Sequence, residues 1–132
     1  MIQYHLQSTA PHLRVDLAGT VSGDEVAREL APLPNDLATV PEGFMALIVY
    51  PDLHLIEEEA VGFLYNAVTY LLHARPARCV FVNGGYHPHP GLRKYIEQLA
   101  RDGQVVFVAT EADAKQHIDQ HSASPRASGP AT

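Results

Sequence analysis

The N-terminal part of the chain has two stretches in which apolar and polar residues alternate. Residues 2–6 and residues 13–17 both follow this pattern, which is typical of half-buried β-strands. Gly19 ends the second stretch. Together the two stretches predict a hairpin whose first strand lies at the edge of a sheet.

Three later stretches are continuously apolar, and each leads to a segment with helical spacing. They are residues 46–50, 79–82 and 105–109, and such runs suit strands that are covered on both faces. Between and after them, hydrophobic residues recur every three or four positions, as in amphipathic helices. The helix starts are predicted near Ser22, Glu57, Pro90 and Thr110.

This alternation predicts the element order β-β-α-β-α-β-α-β-α. Such an order indicates an α/β fold with a mixed, mostly parallel sheet of about five strands and about four helices. The alternative is a doubly wound fold of the flavodoxin type, which normally begins with a buried parallel strand and not with a hairpin. Residues 31–43 contain three prolines and predict a long, stiff connection.

The chain has 132 residues, and this length predicts one domain. We expect the domain to span residues 1–121. Residues 122–132 lack large apolar side chains and predict a disordered tail. The net charge of −6 and the nine scattered Lys and Arg argue against nucleic-acid binding. No apolar run is long enough for a membrane span, no signal peptide is evident, and the single cysteine, Cys79, excludes an internal disulfide. A cytoplasmic protein is the simplest interpretation.

The acidic triplet Glu57, Glu58 and Glu59 falls where the chain passes from the central apolar strand to the longest predicted helix. Loops at strand ends are where open α/β sheets place their sites. The first turn of a helix carries unpaired N–H groups and a partial positive charge, so carboxylates there are favourable. A helix start with no further role explains the triplet equally well at this stage.

Residues 55–64, with the sequence LIEEEAVGFL, resemble the signature of STAS domains, the SpoIIAA-like modules of anti-sigma factor antagonists and sulphate transporters. The family frame is roughly Phe-Ile-Asp-Ser-Ser-Gly-Leu-Gly-x-Leu. The end of the second strand at residues 17–19 and the run at residues 80–83 also resemble the family. In such domains, the Ser after the Asp is the phosphorylation switch. Glu58 holds that place here and Glu57 holds the place of the Asp, so the usual switch residue is absent.

The resemblance implies a regulatory domain that binds a protein and does not catalyse a reaction. Its implied partner is an anti-sigma factor or a serine kinase, and a homo-oligomer is also plausible. No cofactor, nucleic acid or membrane is implied. The surface expected to contact the partner consists of Asp52, His54, Glu57, Glu58, Glu59 and Gly62.

A second class of function is a domain that binds a small ligand, a nucleotide or a metal. His87 and His89 lie in a proline-bracketed loop and, with Asp52 and His54 from the neighbouring loop, form a candidate metal site. Solvated histidines in a rigid loop are the simpler explanation. The segment Asn83-Gly84-Gly85 precedes a helix, as phosphate-binding loops do, but lacks their characteristic spacing. Enzymatic catalysis has little support, because no nucleophile elbow is present and Cys79 falls in an apolar strand.

Overall fold

The computed structural model describes the backbone of residues 1–85 and 89–128, and the side-chain surroundings within these ranges up to residue 120. In chain order, the elements are β1 (Ile2–Leu6), β2 (Leu13–Leu17), β3 (Gly19–Val21), α1 (Gly23–Glu29), α2 (Leu33–Leu37), β4 (Met45–Val49), β5 (Leu53–Ile56), α3 (Glu58–His73), β6 (Arg78–Val82), α4 (Pro90–Leu99), β7 (Val105–Val108) and α5 (Glu111–Ser128).

The main sheet has five strands in the order β1-β2-β4-β6-β7. The edge strand β1 is antiparallel to β2, and the other neighbours are parallel. The predicted hairpin and the predicted mixed, mostly parallel sheet are therefore confirmed. None of the helices in the described ranges is long and apolar enough to cross a bilayer.

The central strand β4 is apolar throughout because it is buried on both faces. Ile48 packs in a core with Leu13, Phe81 and residues of α1, α2, α3 and α4. Leu47 and Val49 point to the opposite face, where they pack with Ala114 and Ile118 of α5. The period-two alternation of side chains in a strand thus divides the interior into a larger and a smaller core.

A second, two-stranded sheet joins β3 to β5 in parallel, and the sequence did not predict it. Gly19 has a φ of +65°, a conformation that a glycine adopts without steric cost. Its N–H donates to the carbonyl of Asp52 at 2.9 Å, and the N–H of Glu57 donates to the carbonyl of Val21 at 2.9 Å. The small sheet therefore fixes the direction in which the chain enters α3.

Helix α1 begins at its predicted place and is capped by Ser22, but the carboxylate in its first turn binds elsewhere. The Ser22 hydroxyl accepts a hydrogen bond from the N–H of Glu25 at 3.2 Å, as an N-cap serine does. The Glu25 carboxylate instead accepts from the N–H of Ile2 at 2.8 Å and lies 3.4 Å from the amino group of Met1. Glu25 thereby ties the edge strand to α1.

The proline-rich connection and the C-terminus both differ from the sequence-based predictions. Helix α2 lies inside the segment that was expected to have no helix, and Pro34 is in its first turn, where a missing N–H has no cost. Helix α5 continues past His121 to Ser128, beyond its expected end. The domain division at His121 stays a prediction, and residues 129–132 lie outside the described part.

Candidate functional site

The acidic triplet lies at the start of α3, as the sequence predicted. Strand β5 ends at Ile56, Glu57 is the N-cap residue in an extended conformation, and Glu58 opens the helix. The Glu57 side chain makes no capping hydrogen bond. Glu58 and Glu59 are exposed, so the first turn presents carboxylates to the solvent.

Negative charge accumulates at this point because α1 begins beside α3. The pKa of Glu57 is raised by a hydrogen bond with the Glu59 carboxyl group, then by partial desolvation and by repulsion from Glu59 and Asp24. Asp24 belongs to the first turn of α1. Both helices therefore bring acidic first turns to one place on the surface, and a partner with positive charge would relieve their repulsion.

Gly23 allows the two helix starts to approach so closely. A Cβ atom at this position would lie 2.5 Å from Cγ of Glu59 and 3.2 Å from its carbonyl carbon, and neither distance is normal for a Cβ contact. Gly23 is buried. The sequence gives no sign of this role, because the spacing of Gly23 and Glu59 along the chain says nothing about their contact.

The other residues of the predicted partner surface lie on β5, on α3 and in the turn before β5. Asp52 lies in the turn between β4 and β5, and His54 lies on β5; both are exposed. Gly62 is also exposed, and a Cβ atom there would meet nothing within 4 Å. The predicted partner surface stays a prediction, and Gly62 is not required for close packing.

Exposed apolar side chains lie on the two elements that meet at the acidic turn. Leu55 on β5 is 55% exposed, Phe63 on α3 is 45% exposed and Tyr70 on α3 is 53% exposed. Phe63 and Tyr70 are seven residues apart and so share one side of the helix. Tyr65 does not belong to this surface, because its ring packs edge-on against Tyr95 with a centroid distance of 4.6 Å.

The histidine site that the sequence offered as an alternative is not supported in the described part. His89 is the N-cap of α4, and its Nδ1 accepts from the N–H of Leu92 at 3.0 Å. No group of three or more His, Cys, Asp or Glu that could hold a metal occurs among the described residues. His87 lies outside them, and His54 is a solvent-facing residue of β5.

The glycine loop after β6 is bonded to the protein itself. The N–H of Gly84 donates to the carbonyl of Ala109 at 3.0 Å, and the N–H of Gly85 donates to the side-chain oxygen of Asn83 at 2.7 Å. Both amides are thus engaged, whereas a phosphate-binding loop directs its N–H groups toward the ligand. This geometry argues against nucleotide binding at the loop.

Cys79 is fully buried in β6. Burial raises the pKa of its thiol, so the thiolate that a nucleophile requires is suppressed. The structure therefore gives this cysteine a packing role and supports the sequence-based interpretation of an inert thiol.

Comparisons with known proteins support the fold. No family model and no curated protein matches the chain. Among solved structures, the anti-sigma factor antagonist SpoIIAA in its unphosphorylated form matches with a TM-score of 0.61 and 17% identity, over 90% of this chain and 98% of that one.

Two further structures match to a similar extent. A DUF3478 protein from Shewanella loihica with a SpoIIAA-like fold gives a TM-score of 0.64 at 17% identity, over 89% of this chain and 93% of that one. The phosphorylated form of SpoIIAA, a Bacillus cell fate determinant, gives 0.57 at 16%, over 88% and 98% of the two chains. The chain therefore has the SpoIIAA-like fold, as the STAS resemblance predicted. Identities this low show the fold alone.

Proposed function

We propose that this domain is a non-catalytic regulatory module of the cytoplasm that binds a protein, in the manner of an anti-sigma factor antagonist, without a phosphorylation switch at the start of α3. Its proposed partner is an anti-sigma factor or a serine kinase. The observation that carries the proposal is the exposed acidic first turn of α3 on a SpoIIAA-like fold. Self-association through the same face remains part of the proposal.

The chemistry of the surrounding surface supports a protein partner. Exposed Leu55, Phe63 and Tyr70 lie on the two elements that meet at the acidic turn. Aromatic side chains are enriched in protein interfaces, and a few of them usually carry most of the binding energy. Charged groups around them set the association rate and the choice of partner. The combination favours a partner with a basic rim around an apolar centre.

The charge at the switch position is permanent in this chain. Glu58 is the first residue of α3 and is exposed. A phosphoserine carries about two negative charges and three acceptor oxygens, whereas a glutamate carries one charge and two oxygens. Glu58 therefore imitates a phosphorylated state incompletely, and it cannot be switched by a kinase. The proposed complex should be regulated by the abundance of its members or at a site away from the start of α3.

A phosphorylation experiment tests the missing switch. The purified chain is incubated with a serine kinase that phosphorylates an anti-sigma factor antagonist, together with ATP, and is analysed by mass spectrometry. SpoIIAA in the same reaction is the positive control. We expect no stoichiometric phosphate near the start of α3. Stoichiometric phosphate on Thr20 of β3, or on Ser22 beside it, would show that a neighbouring hydroxyl has taken over the switch and would contradict the proposal.

A capture experiment with matched variants tests the binding surface. Wild-type protein is compared with Glu58→Lys and Phe63→Ala, and Glu42→Lys serves as a control because Glu42 is an exposed carboxylate in a loop. We expect an anti-sigma factor or serine kinase that is retained by the wild type and the control and is lost with the other two variants. Equal retention by all four proteins would place the interface elsewhere.

A further inference from the structure

A cavity of about 90 Å³ lies between the main sheet and the helices of the larger core. Ile48 forms part of its floor, and Ala67 and Leu71 of α3 form part of its wall. The lining is almost wholly apolar. Dense packing is the rule in protein interiors, where voids larger than a water molecule are few. A space of this size in a small domain therefore requires an explanation.

The polar side chains among the described lining residues are grouped at one end of the cavity. Tyr50 directly follows β4, His89 caps α4, and Arg93 belongs to the first turn of α4. This end corresponds to the carboxyl ends of the parallel strands, which is where open α/β sheets bind ligands. The cavity thus has an apolar interior and a polar end at the position that the fold favours for a site.

Arg93 lies at the polar end of the cavity, where contacts with Glu97 and Phe107 orient its side chain. Its side chain is 39% exposed, and its Nε lies 3.5 Å from a carboxylate oxygen of Glu97. The guanidinium carbon lies 4.5 Å from the centroid of the Phe107 ring. These contacts orient the planar guanidinium, whose fork of N–H donors matches a carboxylate. The first turn of α4 adds its partial positive charge on the same side.

We propose that this cavity is a binding site for a short linear carboxylate, with the chain inside and the carboxylate at Arg93. An engineered cavity of roughly 150 Å³ in another protein accepts benzene, so this smaller space accommodates about three or four carbons in proportion. The remaining carbons reach the mouth. The ligand class is therefore a carboxylate of butanoate to hexanoate size. This inference goes beyond the proposed protein-binding function, because it uses residues that line the core and not the exposed acidic turn.

Methyl NMR titration of the full chain with hexanoate tests the proposal. We expect saturable shifts of the Ile48 and Leu71 methyl groups. The variant Ala67→Leu should abolish them, because the added carbons occupy the space. Arg93→Gln should weaken hexanoate by about tenfold, the loss of one charge-assisted pair, while its neighbour Lys94→Gln, exposed on α4, should bind as the wild type does.

Two measurements on the unmodified protein keep the proposal open to refutation. Xenon, which enters dry apolar cavities, should shift the same methyl groups and compete with hexanoate. No response to either probe would show that the cavity is closed and would overturn the proposal. Binding of 1-hexanol as tight as that of hexanoate would overturn the part assigned to Arg93. The role of Arg93 would be supported if 1-hexanol binds more weakly than hexanoate and if Arg93→Gln does not change the affinity for 1-hexanol.

Discussion

Replacing Ala67 with leucine is the sharpest test of the packing in this fold. Ala67 is partly buried on α3 and lines the cavity of the larger core. Alanine and leucine both favour helical backbone, so the exchange leaves the propensity of α3 nearly unchanged. The added carbons have space to enter. We therefore expect Ala67→Leu to raise the free energy of unfolding.

The size of the gain follows from the volume of the cavity. At roughly 24 cal/mol per Å³, a cavity of about 90 Å³ carries a penalty of about 2 kcal/mol, which is the upper limit of what filling can recover. Burial of three carbons gives a similar figure at about 0.8 kcal/mol each. Ordering the leucine side chain costs about 0.5–1 kcal/mol. The expected net gain is about 1 kcal/mol, equivalent to a rise in Tm of about 4 °C.

Urea denaturation monitored by circular dichroism measures this difference, provided that both proteins unfold with the same slope. The matched control is Ala60→Leu on the same helix. Ala60 is 0% exposed and does not line the cavity, so added carbons there should overpack the core and cost about 1–3 kcal/mol. If Ala67→Leu were as destabilising as Ala60→Leu, the cavity would not exist in solution and the reasoning would fail.

Three further changes test the helix starts. Gly23→Ala should lower the free energy of unfolding by about 1–3 kcal/mol through overpacking against Glu59. Glu59→Ala in that background should recover part of the loss. Full stability of Gly23→Ala would refute the close approach. Because the pKa of Glu57 is raised in the folded protein, its ionisation disfavours the fold as the pH rises through that pKa. Glu57→Gln should therefore raise Tm at neutral pH and leave it unchanged well below the ordinary glutamate pKa of 4.5. An equal shift of Tm at both pH values would contradict the electrostatic cause. His89→Ala should lower the free energy of unfolding in urea by about 1 kcal/mol, as the loss of an N-cap does, while His89→Asn should retain most of the stability. Equal losses of stability in the two variants would show that the hydrogen bond to Leu92 is not stabilising.

The parts of the fold that could be predicted from sequence are those whose signal is local. The alternation in β2 indicates a strand with one face more buried than the other, and the unbroken apolar run of β4 indicates a strand that is buried on both faces. The acidic triplet marks a helix start because carboxylates and first-turn N–H groups attract each other within a few residues. These signals placed the main sheet and the start of α3 correctly.

The missed elements depend on contacts between distant segments. Strand β3 spans only Gly19–Val21, and it is a strand because β5 pairs with it in parallel. A segment this short carries too few side chains for a periodic pattern. Helix α2 was obscured by its own prolines, which stop one helix and, in a first turn, begin another. In both cases the tertiary structure decides between local alternatives.

The candidate site shows the same division between local and distant information. Residue order identified Glu58 and its neighbours, whereas the exposure of Phe63 and the space beside Ala67 became evident only once α3 was packed on the sheet. Because Ala67→Leu adds carbons to a space inside the core and leaves the exposed acidic turn unchanged, it should block the carboxylate without changing capture of the protein partner. Glu58→Lys should do the reverse. This double dissociation allows each proposal to fail without the other, and a loss of both functions in either variant would mean that α3 couples the two sites.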